Sequence, residues 1–129
     1  MAPDASSPVI VAGQVVGCAS GLHGLDLAGQ LKAKWATTDE AFADFASLIA
    51  AGDRVLAATF GGELWLLKPG AANVEVLSRL RVFEGDAEMY AHPALADHRL
   101  FLRGRNEIVC LPLDVGTPPP TSSIPSNLR

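Results

Sequence analysis

The side chains able to do chemistry are few in this chain of 129 residues. Cys18 and His23 fall on successive apolar runs, where a thiol and an imidazole could pair as nucleophile and base. No third group that would orient the imidazole is recognisable, so both Cys18 and Cys110 read better as small buried hydrophobes. His92, Asp97 and His98 combine imidazole and carboxylate donors of the kind that suits zinc. His92 opens one strand while His98 sits in a hairpin turn, which points the rings differently, and surface histidines are the expectation. Asp26 reads as a turn cap whose carboxylate accepts a nearby backbone N–H, not as a catalytic base. Trp35 and Trp65 are expected to pack between sheets instead of stacking a ligand. Arg54, Arg99, Arg103 and Arg105 gather near turns and are read along one rim, with scattered solvated arginines as the plainer alternative. No catalytic, cofactor-binding or metal-ligating residue is assigned, and no cofactor.

Composition narrows the function classes. Apolar residues make up 49% of the chain, enough for a globular core. Ten Lys and Arg stand against fourteen Asp and Glu, a net charge of −4 without a basic stripe, which argues against nucleic acid as a partner. No apolar run approaches the roughly 20 residues of a membrane-spanning helix. The two cysteines are expected on strands too far apart to bridge. Val15-Val16-Gly17-Cys18 fits a bacterial lipoprotein cleavage box, but Met1 to Ser7 carries Asp4 and no Lys or Arg. A strand reading of those residues is preferred to a signal peptide.

The elements that position these side chains repeat. Ser7 to Leu27, Ser47 to Lys68 and His92 to Leu113 each hold an apolar run, a two-residue turn, a second run, a Gly-containing turn and a third run. Aligned on Gly13, Gly52 and Asp97, the copies recur after 39 and 45 positions, the spacing of propeller blades. The first turns are read as Gly13-Gln14, Gly52-Asp53 and Asp97-His98, residue types that tolerate positive φ. Val55 to Phe60 and Leu64 to Leu67 are almost continuously apolar, as strands buried on both faces are, and place Phe60 and Trp65 in the core of the middle blade. Leu31 to Ala36 and Val74 to Val82 supply fourth strands, and Thr37 to Ala46 is a connection with a helical turn opening at Thr38 or Asp39. The fold class is therefore all-β: a partial β-propeller with about two four-stranded antiparallel blades and three strands of a further blade. The blades span 8–36, 47–82 and 92–113, and 114–129 reads as a disordered Pro/Ser-rich tail with four prolines.

Gly21-Leu22-His23-Gly24-Leu25-Asp26-Leu27-Ala28-Gly29 followed by Trp35 resembles the repeat of pyrroloquinoline-quinone-like, or quinoprotein-type, propellers. His92 to Arg103 with Ile108 to Leu111 looks like the closing repeat of such proteins. The second and third repeats lack the Asp…Gly…Trp set. In the quinone enzymes the resemblance implies an acidic base, calcium ligands and a vicinal disulfide, none of which can be matched here residue by residue. The resemblance implies a periplasmic or extracytoplasmic location.

Closed propellers use roughly 4–8 blades of four strands, so the array looks incomplete, with apolar faces and strand edges open at its ends. The expected partners are the rest of the propeller, another copy or another protein chain. The preferred reading is a non-catalytic structural or protein-interaction scaffold. The alternative is the C-terminal part of a quinone-dependent dehydrogenase whose catalytic residues lie upstream.

Overall fold

The computed structural model describes residues 6–113, and the expected Pro/Ser-rich tail at 114–129 lies outside them. Eleven strands form three separate antiparallel sheets, each a simple meander. Blade 1 holds β1 (Val9–Val11), β2 (Gln14–Cys18), β3 (Leu22–Asp26) and β4 (Ala33–Thr37). Blade 2 holds β5 (Ala46–Ala51), β6 (Arg54–Thr59), β7 (Glu63–Pro69) and β8 (Val74–Arg81). Blade 3 has three strands, β9 (Ala94–Ala96), β10 (Arg99–Arg103) and β11 (Ile108–Pro112). This is a partial β-propeller, and the residues of the supposed cleavage box lie within β2.

The first hairpin of each blade turns through two residues. In blade 1 these are Ala12-Gly13, with φ of 48° and 74°, one position earlier than the sequence suggests. Gln14 therefore opens β2 and is free to point into the protein. Blade 3 uses Asp97-His98, both at positive φ (48° and 60°), the conformation that matches the twist of paired strands. Gln30 and Leu31 also have left-handed φ, so the turn before β4 runs longer than expected and the strand starts at Ala33. Between blades 1 and 2 a single 3-10 turn, Glu40–Phe42, is capped by Asp39, whose carboxylate accepts from Ala41 N at 3.0 Å.

The continuous apolarity of blade 2 has a simple cause. Side chains alternate along a strand, and this sheet is covered on both faces. Leu48, Val55, Ala57, Trp65 and Leu67 enter one core with Val11, Val16, Leu22, Trp35 and Phe42 of blade 1 and its connection. Ala58 and Leu64 enter a second core with Phe83, Met89, Leu100, Leu102 and Val109 on the side of blade 3. Phe60 departs from expectation: β6 ends at Thr59, so Phe60 begins a turn and is only half-buried, its ring 4.9 Å from that of Tyr90.

Candidate functional site

The sequence candidates are mostly not brought together. Cys18 is buried with its Sγ donating to Phe42 O at 3.5 Å, and burial pushes its thiol up from the ordinary value. His23 pairs with Gly17 across β2 and β3, so its ring lies on the opposite face of the sheet from Cys18, with Nε2 3.0 Å from Ala19 O. A raised, enclosed thiol facing away from the imidazole is not an activated nucleophile. Asp97 and His98 occupy the β9–β10 turn and His92 an exposed loop before it. Asp26 has its carboxylate against Gly29, while the turn is closed by main-chain bonds from Asp26 N to Lys32 O (2.8 Å) and Leu31 N to Asp26 O (2.9 Å).

The arginines do not share a rim. Arg54 and Arg99 open their strands at the hairpin-turn end, whereas Arg103 closes β10 at the other end. Arg105 lies beyond it, bound to Asp86 at 2.8 Å and near Glu88 at 3.6 Å. The alternation of strand direction in a meander separates residues that are close in sequence.

The quinone and calcium that the resemblance implies do not fit these residues. Among the described residues no three His, Cys, Asp or Glu side chains cluster as a cation would need, and the free cysteines sit in different sheets.

Two clusters escaped the sequence reading. Gln14, buried in β2, accepts from Trp35 Nε1 at 2.7 Å through Oε1 and donates through Nε2 to Gly70 O of blade 2, also at 2.7 Å. One amide thus ties a tryptophan of blade 1 to the backbone of blade 2. The indole lies against Gly24, leaving no room for a Cβ there. On the facing blade, Trp65 packs edge-on against Phe42, with centroids 5.0 Å apart, and under the Arg79 guanidinium at 4.3 Å. Its Nε1 is buried without a hydrogen-bond partner among the described residues. Arg79 also grips the buried Glu63 carboxylate with two hydrogen bonds of 2.7 and 3.1 Å, and Arg81 approaches it at 3.6 Å. The bond from Arg79, with its charge and that of Arg81, outweighs burial and holds the Glu63 carboxyl below its usual range.

Among the described residues two surfaces remain open. On the face of blade 1 turned away from blade 2, Ile10, Val15 and Leu25 form a cross-strand row, and Ile10 is 63% exposed. Pro8, Val15, Gly17, His23 and Leu25 line a groove of about 580 Å³ on this face. A second cleft, of about 670 Å³, lies between blades 2 and 3. Its walls are Leu56, Leu64, Leu66 and Leu80 on one side and Leu95 and Leu111 on the other, with Arg54 and Ser78 as polar groups.

No family model and no curated protein sequence matches the chain. Solved structures do. The crystal structure of BamB from Moraxella catarrhalis superposes with a TM-score of 0.67 at 16% identity, over 82% of this chain and 32% of that one. A europium-containing methanol dehydrogenase superposes with a TM-score of 0.58 at 13% identity, over 85% of this chain and 23% of that one. The chain thus spans a third or less of the structures it resembles. At such identities the likeness speaks for architecture alone. Three meandering sheets, packed face to face and superposable on both structures, give this chain the fold of part of a quinoprotein-type β-propeller.

Proposed function

We propose that this chain is a non-catalytic propeller segment whose exposed blade-1 face docks against another blade, making it a structural or protein-interaction scaffold. The observation that carries this reading is the row Ile10, Val15 and Leu25. Blade 2 buries Ala57 and Trp65 on one face and Ala58 and Leu64 on the other, whereas blade 1 leaves this row open. Exposed contiguous apolar surface on a regular sheet favours association. The docking blade belongs to the rest of the propeller, to another copy or to another protein chain. Light scattering on the protein and on Ile10→Lys tests it. Self-association that the lysine reduces is the expected result, and a monomer indifferent to the change would overturn the reading.

A second reading draws on the likeness to methanol dehydrogenase: the chain is a C-terminal portion of a quinone-dependent dehydrogenase. It requires acidic and vicinal cysteine residues elsewhere. Titrating the chain with the quinone and calcium while following absorbance separates the two readings. No saturable change is expected, and micromolar binding would favour the enzyme.

A further inference from the structure

The two interfaces between blades are built from equivalent rows with different contents. In blade 1 the cross-strand row is Val9, Val16, Gly24 and Trp35. Counted from the hairpin turn, the row at the same place in blade 2 is Ile49, Leu56, Leu66 and Ser78. The bulge that follows Gly24 in β3 recurs after Leu66 in β7, which fixes the correspondence independently. Ser78 therefore stands where blade 1 has Trp35, and Leu66 where it has the glycine beneath the indole. Arg54, the first residue after the turn, takes the place of Gln14. No indole fills the second interface at this row, and Ile49, Leu56, Leu66, Ser78 and Arg54 all line the cleft of about 670 Å³ that remains.

The exchanged polar group defines what belongs there. Gln14 offers a carbonyl oxygen to an N–H donor, whereas a guanidinium has donors only. Whatever meets Arg54 from within the cleft must accept hydrogen bonds, and an anion does so best. Asp53 leaves Arg54 available: the pair is exposed, at 3.7 Å, and Asp53 is shared with Lys68 at 3.6 Å. The cleft volume falls within the roughly 300–1,000 Å³ of small-molecule sites, which pair apolar walls with a few polar groups. We propose that the cleft between blades 2 and 3 binds an amphipathic carboxylate with an extended aliphatic body, its head at Arg54 and its chain along the leucine walls. This site does not depend on docking at the opposite, blade-1 face.

Isothermal titration with dodecanoate, kept below its micelle concentration, and with dodecanol as the uncharged control tests the assignment. Saturable binding of dodecanoate at one site is expected. Arg54→Gln, a change at an exposed position, should weaken dodecanoate about tenfold, the effect of losing one charge-assisted contact, and leave dodecanol nearly unchanged. Leu66→Gly with Ser78→Trp rebuilds the blade-1 arrangement and should abolish binding while the thermal midpoint holds or rises. Ile10→Lys, on the far face, should leave the affinity unaltered. Three outcomes would overturn the proposal. One is equal affinity for dodecanoate in Arg54→Gln, and another is binding that survives in the folded tryptophan variant. The third is no saturable binding, whether because a second copy or residues 114–129 occupy the cleft.

Discussion

The interface between blades 1 and 2 is closed by a tryptophan bonded through its nitrogen, and the interface between blades 2 and 3 is not. In the first, Trp35 fills the row, Gly24 makes way for it, and Gln14 bonds its nitrogen and the next blade together. In the second, Phe83, Met89, Leu100 and Leu102 close one part while the equivalent row stays hollow beside Arg54 and Ser78. Both interfaces are apolar, so hydrophobicity does not distinguish them. The difference lies in whether a large rigid ring and a matched polar partner occupy one row. A blade pair is thus locked or left receptive by two or three side chains, with the sheet unchanged.

The contrast can be broken most forcefully at its tryptophan. Trp35→Ala should cost about 3–5 kcal/mol in urea unfolding, since it opens a cavity and strands the Gln14 carbonyl. A loss no larger than that of an exposed substitution would remove the lock from the account. Gln14→Leu keeps the volume but leaves Trp35 Nε1 and Gly70 O unpaired, and should cost about 1–3 kcal/mol by the same measurement. Leu56→Ala, on the hollow side, should cost only about 1 kcal/mol, below the ~2–5 kcal/mol of a fully packed leucine, because the residue is half-buried beside existing space. A cost above that of Gln14→Leu would mean the second interface is packed after all.

The smallest effect concerns pH. The Glu63 carboxyl, held down chiefly by its Arg79 hydrogen bond, lies over the first interface beside Trp65. Its folded value is depressed below that of an ordinary glutamate, so its contribution is present above the ordinary value and lost as pH falls through the folded one. The urea midpoint of the wild type should therefore drop more between pH 5 and pH 3, approximate limits set by this window, than that of Glu63→Gln. Parallel curves would show that the ion pair is energetically silent, as exposed partners such as Arg79 permit.

Much of the architecture could be read in the chain because it depends on local signals. Glycine and aspartate at hairpin turns, apolar runs between them and the recurrence of the unit place the strands and count them. The structure departs from the sequence pattern where one residue of turn geometry matters. Ala12 adopts φ 48° without being glycine, which moves the turn back one place and turns Gln14 inward. Leu31 likewise stays in the turn before β4, and Phe60 leaves the strand for Tyr90. The clusters were less visible. Glu63 meets Arg79 across β7 and β8, and the match of Ser78 to Trp35 needs the pairing register of eight strands. Neither is expressed in spacing along the chain. Gln14 between two apolar runs was the available sign of the first lock, and the lack of the Asp…Gly…Trp set in the second repeat was the sign of the hollow row.

The side chain of Gln14 spans from one blade to the next, and it therefore acts on the angle between them. A ring closes only if its successive rotations sum to one full turn, about 90° each for four blades and about 45° each for eight. The glutamine and its indole act as a spacer of fixed width at one radius of the ring, and so set that rotation for the first pair. The second pair has no such spacer at the same radius, and its rotation is set by Phe83, Met89, Leu100 and Leu102 in another part of the interface. The two steps of the array are thus fixed at different distances from its axis.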